Sequence, residues 1–129
     1  MAYNILIVDD SEVTRNVMAR TLKMCGVDIG EMYFAENGKQ GLEQLDKSWP
    51  DLVFCDINMP VMDGLEFVNE LHKSEEWRDL PVVIVSTEGS QTRMEELRQS
   101  GIKGYIRKPF KAEQVAEIIE QLLGKDQHV

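Results

Sequence analysis

Apolar residues along the chain come in five short bursts, each followed by a longer stretch where they recur every three or four positions. The bursts are Ile5-Leu6-Ile7-Val8, Met32-Tyr33-Phe34-Ala35, Leu52-Val53-Phe54-Cys55, Val82-Val83-Ile84-Val85 and Gly104-Tyr105-Ile106. The first, third and fourth are continuous and rich in β-branched or aromatic residues, the pattern of strands covered on both faces. The second and fifth are weaker, which predicts sheet edges. Between the bursts, Val13, Val17, Met18, Leu22 and Cys25 predict the core side of a first helix stopped by Gly26. Leu42 and Leu45 mark a second helix, and Leu65, Val68 and Leu71 a third after an Asp63-Gly64 turn. Met94 and Leu97 give a thin fourth stripe; Val115, Ile118, Ile119, Leu122 and Leu123 give a strong fifth. Strand-helix alternation repeated five times predicts an α/β fold, a mainly parallel sheet with crossover helices on both faces.

No repeat or linker interrupts the series, so residues 1–129 are expected to form one domain, with a tail at 124–129 too short to carry an output module. Against 14 basic residues stand 23 acidic ones, a formal net charge of -9. Nucleic-acid binding draws most of its affinity from neutralised phosphates, so this balance argues against DNA or RNA, and equally against an anionic membrane surface. Membrane insertion is not expected, since no apolar run approaches about 18 residues. Met1-Ala2-Tyr3-Asn4 lacks the basic start of a secretion signal. Cys25 and Cys55 sit in apolar stretches and are expected to be small buried hydrophobes. Together these features predict a cytoplasmic domain.

Candidate chemistry gathers where the predicted strands end. The first runs into Asp9-Asp10, the third into Asp56, the fourth into Ser86-Thr87 and the fifth into Arg107-Lys108-Pro109. In an open parallel sheet the carboxyl ends of the strands share one edge, where ligands bind. Three carboxylates brought together there would repel unless a cation lay between them, and an all-oxygen donor set favours a hard ion, Mg²⁺ with Mn²⁺ as an alternative. His72 and His128, far apart in the chain, supply no zinc set. Lys108 and Ser86 suit the equatorial oxygens of a transferring phosphoryl group, and a carboxylate can be its nucleophile. Asp56, central and at the end of the most apolar strand, is the best candidate. Simpler roles fit other positions. Asp10-Ser11 would cap a helix on its own, Asp63-Gly64 is expected to be a turn and nothing more, and Trp49 and Trp77 are expected to anchor packing.

Four blocks, ILIVDD (Ile5 to Asp10), DINMPVMDG (Asp56 to Gly64), VSTE (Val85 to Glu88) and KPF (Lys108 to Phe110), resemble in order and spacing those of the CheY-like response regulator receiver domains of two-component systems. That resemblance implies a flavodoxin-like doubly wound sandwich with five parallel strands in the order 2-1-3-4-5 and five helices. It implies that Asp56 accepts a phosphoryl group from a sensor histidine kinase. Mg²⁺ would be bound by Asp10, Asp56 and the backbone carbonyl of Asn58, with Asp9 acting mainly through water. Lys108 would pair with a phosphate oxygen and precede a cis Lys108-Pro109 bond. Ser86 and Tyr105 would move on phosphorylation and alter the face of helix 4, strand 5 and helix 5, where a downstream target protein binds in trans. Arg93, Arg98 and Lys103 are candidate contacts on that face. Asn58 and Glu88 would tune the phosphate lifetime toward quick turnover, suiting chemotaxis or motility signalling, while Thr87 departs from the small residue usual in its place. Such a protein promotes only its own phosphorylation and dephosphorylation and is not an enzyme with an external substrate. The alternative, an aspartyl-nucleophile metal-dependent phosphohydrolase, would carry a second acid two residues beyond the nucleophile, where Asn58 stands.

Overall fold

A computed structural model describes residues 2–87 and 91–124, residues 91–94 by backbone alone. Its elements in chain order are β1 (Tyr3–Val8), α1 (Glu12–Met24), β2 (Ile29–Ala35), α2 (Gly38–Ser48), β3 (Leu52–Cys55), α3 (Gly64–Lys73), β4 (Val82–Ser86), α4 (Gln91–Gln99), β5 (Gly104–Arg107) and α5 (Ala112–Leu123). All strand pairings are parallel and the sheet order is β2-β1-β3-β4-β5, the flavodoxin-like arrangement, with the two weaker apolar bursts at the edges.

Because side chains alternate across a strand, each central strand feeds two cores at once. Ile5 and Ile7 of β1, Leu52 and Phe54 of β3, and Val83 and Val85 of β4 point to one face, where Met18 and Leu22 of α1 and Val115 and Ile119 of α5 cover them. Leu6 and Val8, Val53 and Cys55, and Val82 and Ile84 point to the other, beneath Leu45 of α2, Phe67, Val68 and Leu71 of α3, and Leu97 of α4. Burial on both faces explains why these strands are continuously apolar. Local signals start the helices. Ser11 caps α1 by accepting the Thr14 amide at 3.2 Å, Asn37 caps α2 by accepting that of Gln40 at 2.9 Å, and Asp63 forms a capping box with Glu66 on α3.

Five expectations need correction. Val13 and Val17 face solvent, 73% and 43% exposed, while Met18 and Leu22 are buried. Nine residues separate Val13 from Leu22, two and a half helical turns, so they lie on opposite sides of α1. Cys25 is only half-buried. β2 starts at Ile29, earlier than the apolar burst at Met32, because the Asn4 side chain accepts the Glu31 amide at 2.9 Å and holds a polar stretch to the sheet edge. Asp63-Gly64 is more than a turn: Asp63 starts α3, and Gly64 lies against the backbone of Asp56. The expected packing role fits Trp77, which is half-buried against the core, but not Trp49, which is 60% exposed.

Candidate functional site

The sheet ladder continues past the strand ends and carries the acids with it. The Asp9 amide donates to Ala35 O at 3.0 Å and the Asp56 amide to Val8 O at 2.9 Å, so Asp9 and Asp56 stand side by side beyond β1 and β3. Each of Asp9, Asp10 and Asp56 offers a carboxylate oxygen within 4.8 Å of the other two. From the far side of the sheet, the Lys108 amide donates to Ser86 O at 3.0 Å. Its side chain reaches back so that Nζ lies 3.1 Å from Asp9 Oδ2 and 3.9 Å from Asp56 Oδ2. The Lys108-Pro109 bond is cis.

Backbone and side-chain donors hold the acids in place. The Ser11 amide donates to Asp9 Oδ1 at 2.9 Å, the Ile57 amide to Asp56 Oδ1 at 2.8 Å, and Arg15 Nη1 to the Asp9 carbonyl at 2.6 Å. Asp9 is buried, Asp56 half-buried and Asp10 exposed, a graded opening from sheet to solvent. Burial is the main cause that pushes the Asp56 carboxyl above the ordinary aspartate range. The Lys108 ammonium opposes this, and the charges of Asp9 and Asp10 reinforce it. Beneath it, burial and then the charge of Asp56 raise the Cys55 thiol well above its usual value, so Cys55 stays a neutral core group. One ammonium against three carboxylates leaves the crevice short of positive charge. All-oxygen donors in that state fit a hard divalent cation such as Mg²⁺.

The remaining candidates surround this cluster unevenly. Ser86 is buried at the last position of β4, Thr87 is exposed just beyond it, and Asn58 is exposed on the loop after β3. Tyr105 is half-buried on β5, packed toward the α2-α3-α4 core, while Arg98 and Lys103 are exposed. Glu88 lies outside the described residues, as do the side chain of Arg93 and the tail beyond Gly124. Two contributors escape sequence reasoning. Arg15 braces the Asp9 carbonyl from α1, and Gly64 leaves room for the Asp56 backbone, since a Cβ there would lie 2.4 Å from Asp56 O. The position of Gly64 inside the DINMPVMDG block was the available signal.

Removing the bracing cation should be felt twice. In metal-free buffer, Lys108→Ala is expected to lower unfolding free energy by roughly 2 kcal/mol in urea titrations, because Asp9 keeps a buried charge without its partner. By calorimetry, the same variant should bind Mg²⁺ about tenfold more tightly, the ammonium no longer repelling the ion.

Comparison with known proteins adds an independent line. A family model described as the response regulator receiver domain matches residues 5–120. The chain is 36% identical over 124 residues to the chemotaxis protein CheY of Bacillus subtilis, covering 96% of this chain and 100% of that protein. The structure of chemotaxis protein CheY4 of Vibrio cholerae superposes with a TM-score of 0.84 at 30% identity, over 95% of this chain and 100% of that one. A receiver domain of the sensor histidine kinase PA1611 from Pseudomonas aeruginosa, solved with magnesium coordinated in its active-site cleft, matches at TM-score 0.84 and 25% identity, over 96% and 99%.

Proposed function

The chain belongs to the response regulator receiver domain family, and from that membership we propose that it is a cytoplasmic phosphorylation switch whose acceptor is Asp56. The observation that carries this reading is the meeting of Asp9, Asp10 and Asp56 with the Lys108 ammonium at one strand edge. A carboxylate oxygen of Asp56 attacks phosphorus, and the bond from phosphorus to the donor breaks. With a phosphohistidine of a sensor kinase as donor, the electron pair leaves on the imidazole nitrogen. A carboxylate of raised basicity is the better nucleophile for that step. Lys108 takes up the negative charge of the phosphoryl oxygens, and the Ile57 amide keeps the Asp56 side chain oriented. Asp10, Asp56 and the Asn58 carbonyl would hold Mg²⁺, with Asp9 acting mainly through water. When bound, the ion supplies the charge neutralisation that lets two anions approach.

Signal output runs through the Lys108 amide, which ties the acceptor crevice to Ser86 at the end of β4, a strand paired with β5. Displacement of Ser86 and Tyr105 on phosphorylation would reshape the α4-β5-α5 face. A groove of about 240 Å³ on the β5-α5 part of that face, lined by Tyr105, Arg107, Glu117 and Ile118 among others, can receive a target protein. Phosphorylation works as a switch because it favours one of two conformations. Likeness to chemotaxis CheY proteins from several bacteria supports a role in chemotaxis or motility control. Asn58 and Glu88 would set a short phosphate lifetime.

Incubation with acetyl phosphate and Mg²⁺ tests the proposal. Intact-mass analysis should show one added phosphoryl group, and none when EDTA removes the metal. A chain that stays unmodified with both reagents present would overturn it.

A further inference from the structure

At the amino-terminal end of the sheet, opposite the acidic crevice, the fold exposes a tryptophan that it also holds firmly. Trp49 closes α2 in the left-handed region, φ 49° and ψ 59°, an unusual conformation for a bulky residue. Its amide donates to Leu45 O at 3.3 Å. Its ring lies against that of Trp77, centroids 4.8 Å apart and planes tilted by 48°. Trp77 is half-buried against the α2-α3-α4 core, and its turn is pinned by the Arg78 amide on Ser74 O at 3.0 Å and the Leu80 amide on Trp77 O at 3.0 Å. The result is a large aromatic surface presented in a fixed orientation, which lowers the ordering cost of binding.

The segments that carry the pair are unevenly charged. The end of α2 and the segment from the end of α3 to Leu80 carry Glu43, Asp46, Glu70, Glu75, Glu76 and Asp79, all exposed, against Lys47, Lys73 and Arg78. Lys73 and Glu70 pair with each other at 3.1 Å and cancel, so the excess rests on the other acids. An exposed aromatic face carried on segments with an excess of carboxylates complements a cation on an aliphatic stem, since the ring quadrupole and the acids attract the same charge. Tryptophan and arginine are also the residues that most often anchor interfaces.

We infer that the Trp49-Trp77 pair is a docking site for a Lys/Arg-rich segment of a partner protein. Its distance from the strand ends carrying Asp9, Asp56 and Lys108 makes this contact independent of phosphorylation. A partner could therefore be held in both states of the switch.

These are the chain's two tryptophans, so fluorescence excited selectively at tryptophan reports on this surface without the three tyrosines. The probe is a short Lys/Arg-rich peptide, with a Gln/Ser peptide of equal length as the neutral control, both titrated in saturating Mg²⁺. Binding of the cationic peptide should saturate and stay unchanged after acetyl phosphate treatment. By calorimetry it should weaken about tenfold in Trp49→Ala, and in Glu75→Gln/Glu76→Gln, which leaves both rings in place. The circular dichroism of each variant should match that of the natural chain. Failure of the peptide to bind, or equal binding to Trp49→Ala, overturns the inference. So does sedimentation showing a dimer that Trp49→Ala dissolves, which would assign the surface to a second copy of the chain.

Discussion

Asp56→Asn is expected to take up no phosphoryl group from acetyl phosphate and, in metal-free buffer at neutral pH, to unfold at a higher urea concentration than the natural chain. Loss of the acceptor follows from chemistry, because a carboxamide oxygen is too poor a nucleophile to form the acyl phosphate. The gain in stability follows from the electrostatics of the crevice. Burial, together with Asp9 and Asp10, outweighs the Lys108 ammonium and raises the Asp56 carboxyl in the folded state. A carboxyl raised above its unfolded value of about 3.9 supports folding fully only below that pH, and the support is lost as pH rises through the folded-state value. At neutral pH the ionised side chain therefore opposes folding. Asparagine removes the charge but keeps an oxygen for the Ile57 amide. The gap between variant and natural chain should narrow as pH falls through the folded-state value and close below about 4, where Asp56 becomes protonated in both states. Added Mg²⁺ should also narrow it by stabilising the natural chain more. Phosphate uptake by the variant would place the acceptor elsewhere, and lower stability at neutral pH would mean that Lys108 dominates the site.

That trade of stability for reactivity bears on what a sequence can disclose. Asp9, Asp10, Asp56 and Lys108 are legible because parallel topology sends every strand's carboxyl end to one edge, and a polar residue following an apolar strand has nowhere else to go. The central strands are legible for a related reason: β1, β3 and β4 alternate between two buried faces, so neither face tolerates a polar residue. Helix α1 misleads because Val13 and Val17 show a helical spacing as regular as that of Met18 and Leu22. Periodicity identifies a helix but not which of two apolar sides faces the sheet. The early part of β2 is hidden because its hold comes from the Asn4 side chain, a contact across 27 positions that leaves no hydrophobic trace. Arg15 and Gly64 are hidden in the same way, acting on backbone atoms whose positions exist only once the sheet has formed.

Gly64 yields the second large effect. Helix propensity alone favours Gly64→Ala at the first residue of α3 by up to about 1 kcal/mol. Packing opposes it: an added Cβ would lie 2.4 Å from Asp56 O and 3.0 Å from Ile57 Cα. Both are backbone atoms with no rotamer to give way, and the Gly64 amide already donates to Ile57 O at 2.8 Å, which fixes the approach. Relief requires α3 to pull away from β3 or the Asp56 peptide to move. The first would disturb the Asp63-Glu66 capping box, and the second would misplace the acceptor. Packing should win, with a net loss of about 2–3 kcal/mol in urea titrations. Acetyl phosphate uptake should slow at least tenfold in the fraction that remains folded, since small displacements of a reacting group carry large rate penalties. Gly124→Ala is the matched control. That glycine has helical φ and ψ of -70° and -21°, and its Cβ would meet only Glu120 Cβ at an ordinary 3.7 Å. It should change stability by no more than about 0.5 kcal/mol and leave uptake untouched. Were Gly64→Ala as stable and as reactive as Gly124→Ala, α3 could not be resting on the Asp56 backbone, and the acceptor loop would have a freedom this fold denies it.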